Sequence, residues 1–128
     1  MTYDDAELLK AFITESESNM AEFQRWLHRP FGTPDDLANA FRWMHTLAGS
    51  CGFFGFVHLR KIARAAENCL GALRDRGGVP DPALLALLGR AATDIQRFLA
   101  VIGAAGREPD APSPVQADLE RWAKGARP

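Results

Sequence analysis

The sequence has no long apolar run. Its longest, around Ala83 to Leu88, is far too short to cross a bilayer. It also lacks a basic-then-apolar start: MTYDDAELLK is acidic, so no secretory signal is expected and the protein is placed in the cytoplasm. Charge of one sign is not in excess. Fifteen Lys and Arg face sixteen Asp and Glu, a formal net charge of −1. No overall field therefore draws the chain to nucleic acid or an anionic membrane, and no nucleic-acid recognition motif is present. Cysteine is scarce. Cys51 and Cys69 sit in helical patterns among apolar neighbours and are read as reduced core residues, with a disulfide between them as the alternative. His28, His45, His58, Cys51 and Cys69 show no CxxC or HxxxH spacing, so no metal site is expected. A glycine-rich phosphate loop is missing, as is a Ser or Cys nucleophile with a placed base, which argues against an autonomous enzyme. No segment alternates apolar and polar residues long enough to read as a strand.

Helical periodicity fills the chain instead. At 128 residues and 47 % hydrophobic it suits one compact core. A first helix is expected from about Asp5 to His28, with Leu8, Leu9, Phe12, Ile13, Ser16, Met20, Phe23 and Leu27 spaced three and four apart. Arg29, Pro30 and Gly32 end it. Thr33 is a good N-cap for a second helix, with Pro34 at its first position and Asp35 and Asp36 in its first turn. Leu37, Ala40, Phe41, Met44, Leu47, Ala48 and Cys51 form its core stripe, and Gly52 and Gly55 mark its end. A third helix spans about Val57 to Arg76, stopped by Gly77-Gly78. A fourth begins at Asp81-Pro82 and runs to about Ile102. The run GAAGREPDAPS then reads as a linker, and Ser113-Pro114 opens a short fifth helix to about Lys124, whose Leu119 and Trp122 could dock back. The tail is expected to fray. The reading is all-α: an antiparallel up-down four-helix bundle over 1–103, a linker-like loop over 104–113, and a short helix and tail over 114–128.

One stretch, His45-Thr46-Leu47-Ala48-Gly49-Ser50-Cys51-Gly52, is unusual. It puts a histidine in mid-helix and a glycine one turn later, where glycine costs roughly 1 kcal/mol relative to alanine. On a helical wheel His45 lies about 100° from the centre of the core stripe, at its margin. Ala38 and Gly49 are almost in line with it and Arg42 is close by, so the imidazole would stand on a strip of very small side chains. On the third helix Glu67 lies about 80° off its own stripe. If the two helices are antiparallel neighbours, Glu67 can accept from one ring N–H and fix the tautomer, leaving the other nitrogen with a free lone pair. Arg60, Arg64 and Arg74 share the Glu67 side and could offset a phosphoryl charge. The residues also admit a plainer reading. His45 could be a half-buried polar residue, Gly49 could allow close helix packing, and Glu67 could pair with Arg64 or Arg60 on a solvated face.

Taken together, LLKAFITESESNMAEF, FRWMHTLAGSCGFFGFVHL and IARAAENCLGALRDRG closely resemble histidine-phosphotransfer (HPt) domains, particularly the N-terminal HPt domain of CheA-type chemotaxis histidine kinases. The likeness covers nearly the whole chain. It implies a four-helix bundle with an extra C-terminal helix, His45 as phosphoacceptor, Glu67 as the carboxylate holding the imidazole, and Gly49 as the residue keeping the approach open. It implies two partners: a histidine kinase catalytic domain that supplies the γ-phosphoryl of ATP, and a CheY-like response-regulator receiver whose aspartate takes it. ATP and Mg²⁺ belong to those partner domains, and this domain needs no cofactor of its own. Docking is assigned to Ala38, Ala48, Gly49 and Arg60. Two departures stand out. The family usually has a lysine three residues after the histidine, here Ala48, and chemotaxis-type members often carry a second histidine one turn before the glutamate, here Arg64. Arg64 or Arg42 is assigned the missing positive charge. The contrasting reading is a helical interaction module that docks a receiver without accepting phosphate.

Overall fold

The computed structural model describes residues 4–29 and 34–125. Five helices form, and among the described residues there is no strand: α1 (Asp5–His28), α2 (Pro34–Phe54), α3 (Val57–Asp75), α4 (Pro82–Ala105) and α5 (Pro114–Gly125). The expected all-α bundle is the observed one. The assigned stops Pro30 and Gly32, the cap Thr33 and the last residues of the tail lie outside the described residues.

Local chemistry sets most of the helix ends. The Asp4 carboxylate accepts from Glu7 N–H at 2.8 Å and starts α1. Asp81 does the same for α4, accepting from Leu84 N–H at 2.7 Å with Pro82 in the first turn. Gly106 closes α4 in the left-handed region, φ 75°, which a glycine adopts without a Cβ clash. Helix α2 passes through Gly52 and ends only at Phe54. The turn is made by Gly55, φ 79°, whose N–H bonds the Cys51 carbonyl at 2.8 Å. Helix α4 extends one turn past Ile102, because nothing in Gly103-Ala104-Ala105 interrupts its hydrogen bonds before Gly106.

Four helices close a ring: α1 packs on α2, α2 on α3, α3 on α4 and α4 on α1. Phe23, Met20, Met44, Leu59, Ile62, Leu70, Leu88, Ile95 and Phe98 fill the centre, each fully buried. Trp26, absent from the expected stripe of α1, is buried as well and meets the Phe23 ring at 5.6 Å. Helix α5 lies outside the ring across α3 and α4. Val115, Leu119 and Ala123 are buried there, and the Cys69 thiol donates to the Leu119 carbonyl at 3.2 Å. Arg90 of α4 reaches Asp118 at 2.9 Å; hydrogen bonds from Arg90 and then Arg121 hold that carboxyl below its ordinary range.

The segment read as a linker is tied to the bundle at both ends. Its Glu108 carboxylate accepts from the backbone N–H groups of His58 and Leu59, at 3.0 and 2.9 Å. These are orphan donors of the first turn of α3, which has no side-chain cap of its own. Ser113, buried, donates to Asp94 and accepts from Val115 N–H, which joins α4 to the start of α5. No described helix is long and apolar enough to cross a membrane.

Candidate functional site

The site is built on the seam of α2 and α3. The turn at Gly55 and Phe56 sends α3 back along α2, so residues on either side of it face each other across the seam. His45 stands on this seam with its side chain 63 % exposed. Its Nδ1 lies 2.8 Å from Glu67 Oε2. Glu67 is buried, deeper than its marginal place on the wheel suggests, because α2 packs over its face of α3. A buried carboxylate requires compensation. Here each oxygen has a partner: Oε2 takes His45 and Oε1 accepts from Arg64 at 2.9 Å. With an ionised Glu67, Nδ1 is the protonated ring nitrogen and donates to it. Nε2 then carries the lone pair, and it has no hydrogen-bond partner among the described residues.

Of the residues singled out in the sequence, His45, Glu67 and Arg64 come together in one hydrogen-bonded unit. The other arginines do not join it. Arg42 is exposed and donates to Asn39 of its own helix. The Arg60 guanidinium lies along Gly52: a Cβ there would meet Arg60 Nε at 3.8 Å. It borders an open groove of about 310 Å³ with Lys61, Arg64 and Val57. Arg74 sits over the Phe41 ring, 5.0 Å from its centroid.

The strip beside the imidazole is open. Ala38 and Gly49 are exposed, and a Cβ built on Gly49 meets nothing within 4 Å. Close helix packing is therefore not what this glycine serves. Ala48 requires correction: it is fully buried, so it lies beneath the strip and cannot be touched by a docking partner. It falls on the inner stripe with Met44 and Cys51, four residues before it and three after, all fully buried.

Two contacts were not read from the sequence. Phe41, expected only as a core residue, also stacks on His45, with ring centroids 6.3 Å apart and planes within 9°. Its position four residues earlier on one helix is the signal that could have shown this. Glu108 is the other. It acts across 50 residues of chain, and no local pattern marks it.

Both cysteines are free and buried, and burial pushes each thiol up to about 12; the charge of Glu108 adds to this at Cys51. They are inert as nucleophiles near neutral pH.

The bundle thus holds a surface imidazole by one nitrogen and leaves the other without a partner among the described residues. The family model described as the Hpt domain matches residues 7–105. A curated relative, chemotaxis protein CheA of Cereibacter sphaeroides, is 35 % identical over 102 residues. That match covers 75 % of this chain but 15 % of the relative, so the chain corresponds to a small part of that protein. The chain belongs to the Hpt domain family, the histidine-phosphotransfer modules of two-component signalling. Helix α5 lies beyond the matched residues.

Proposed function

We propose that this domain carries a phosphoryl group on His45 in a chemotaxis-type pathway. It would receive the group from a kinase ATP-binding domain and pass it to a CheY-like receiver. The observation that carries this reading is the His45–Glu67 contact of 2.8 Å on a largely exposed imidazole whose other nitrogen has no hydrogen-bond partner among the described residues. Glu67 fixes Nδ1–H, so the Nε2 lone pair points outward. Nε2 attacks the γ-phosphorus of ATP held by the kinase domain. The N–P bond forms as the bond to the β-phosphate oxygen breaks, and ADP leaves. The phosphorylated ring keeps its Nδ1 proton, and the buried carboxylate stabilises the resulting positive charge. A receiver aspartate oxygen then attacks phosphorus, the N–P bond breaks, and the neutral ring returns. ATP and Mg²⁺ stay with the partner domains throughout.

Within the domain, Arg64 is the cation assigned to the phosphoryl group in place of the usual lysine. Its bond to Glu67 puts it in the site, whereas Arg42 is engaged with Asn39. Ala38, Gly49 and Arg60 form the approach for partners.

The test mixes the domain with ATP and a kinase catalytic domain that phosphorylates another HPt domain. Wild type is expected to gain an acid-labile label, His45→Gln none, and an added receiver should remove the label. Arg64→Ala should gain label markedly more slowly; an unchanged rate would remove Arg64 from the mechanism. A wild-type domain that stays unlabelled but still binds the receiver would replace the carrier reading with a docking module.

A further inference from the structure

A second restraint on the reactive ring comes from outside the Glu67 hydrogen bond. That bond holds Nδ1, but one bond alone leaves the ring free to rock about the line joining the two residues. Phe41 lies one helical turn before His45, and the two rings are near parallel, 9° apart, with centroids at 6.3 Å. This offset arrangement is a favoured aromatic geometry. Phe41 is itself held in place. Arg74 of α3 covers its ring at 5.0 Å, a cation–π contact. Gly71, one turn before Arg74, presents bare backbone to it: a Cβ there would sit 3.5 Å from Phe41 Cε2. The ring is half-buried, so it is a fixture of the seam and not a loose surface group.

Resting on the carrier reading of His45, we infer that Phe41, backed by Arg74, is a positioning residue for phosphoryl transfer: it fixes the plane of the imidazole while Glu67 fixes its rotation in that plane. The two restraints are complementary. A hydrogen bond limits the direction of one ring atom, and a stacked face limits tilt. Together they aim the Nε2 lone pair along one line, as an in-line attack on phosphorus requires. Arg74 has no part in the chemistry. It acts through its contact with Phe41.

Phosphoryl gain from ATP and a kinase domain would be followed for wild type, Phe41→Leu, Phe41→Tyr and Arg74→Gln, with kcat and KM separated by varying the kinase. The same isotope-labelled proteins would report ring order and tautomer of His45 by NMR, with His28 and His58 as internal controls. Phe41→Leu is expected to lower kcat on the order of tenfold, less than the roughly hundredfold that a 1 Å misplacement can cost. KM should hardly move, and the His45 ring should lose order while the controls keep theirs. Phe41→Tyr should restore both, and Arg74→Gln should fall between. Wild-type kcat and ring order in Phe41→Leu would overturn the inference. So would an effect confined to KM. If Phe41→Leu proves poorly folded, Arg74→Gln and Phe41→Tyr decide, because Arg74 is 59 % exposed and its loss leaves no cavity. If wild type accepts no phosphoryl at all, the carrier reading fails by itself. The stack is then judged on ring order, and an unchanged His45 signal in Phe41→Leu rejects it.

Discussion

Gly49 costs its helix something and packs against nothing, which the proposed approach of a partner over His45 would explain. A Cβ at Gly49 has open space around it, so the fold does not require this glycine. Gly49→Ala should therefore stabilise the isolated domain by about 1 kcal/mol, seen as a raised Tm. Gly49→Leu should fold equally well but slow receiver-driven loss of label, since its side chain rises beside His45. Normal transfer by Gly49→Leu would mean that partners approach from elsewhere. Ala48 and Arg64 make a related point. Ala48 is fully buried, and Arg64 of α3, 41 % exposed at its side chain, is bonded to the Glu67 that holds His45. The seam thus keeps a positive charge near the imidazole from the opposite helix.

At the scale of elements, α3 depends on a residue far away in sequence. It carries Glu67, Arg64 and Arg74, yet the cap of its first turn comes from Glu108 in the α4–α5 connection. Glu108→Ala should cost roughly 0.5–2 kcal/mol, the usual loss for an N-cap, measured by urea denaturation. Labelling of His45 should stay near the wild-type rate, because Glu67 lies more than two turns further along α3. A large loss of labelling without loss of stability would mean that the connection also shapes the site. Helix α5 is likewise part of the structure and not a trailing appendage: Leu119 is fully buried and its carbonyl accepts from the Cys69 thiol.

For the whole molecule, the two thiols tie stability to pH. Burial raises both from an ordinary 9.0 to about 12 in the folded state. The unfolded chain therefore releases these protons first as pH rises. Their contribution is fully present below about 9 and is lost progressively as pH climbs from 9 toward 12. Unfolding by urea at pH 8 and pH 10.5 should show a fall in stability that shrinks when both Cys51 and Cys69 are replaced by alanine. An equal fall in that variant would place the alkaline sensitivity elsewhere. Thiol reagents should react slowly with the native protein at pH 8 and quickly once it is unfolded.

The sequence by itself determined the helices, the bundle and the central pair of the site. Those follow from short-range rules: apolar spacing of three and four, aspartate and proline at helix starts, glycine at turns, and a wheel that places His45 and Glu67 on adjoining margins. The turn at Gly55 is legible too, but Gly52 lies inside the helix, because a single glycine lowers helix propensity without by itself taking the positive φ that ends the helix. Tertiary structure alone decided what depends on distance between elements. It buried Glu67, bonded Arg64 but not Arg42 or Arg60 to that carboxylate, and laid Arg74 over Phe41. It also bound Glu108 to the first turn of α3, 50 residues away in sequence. The physical reason is that a helical wheel gives direction within one helix, whereas burial and pairing depend on which neighbour closes over each face.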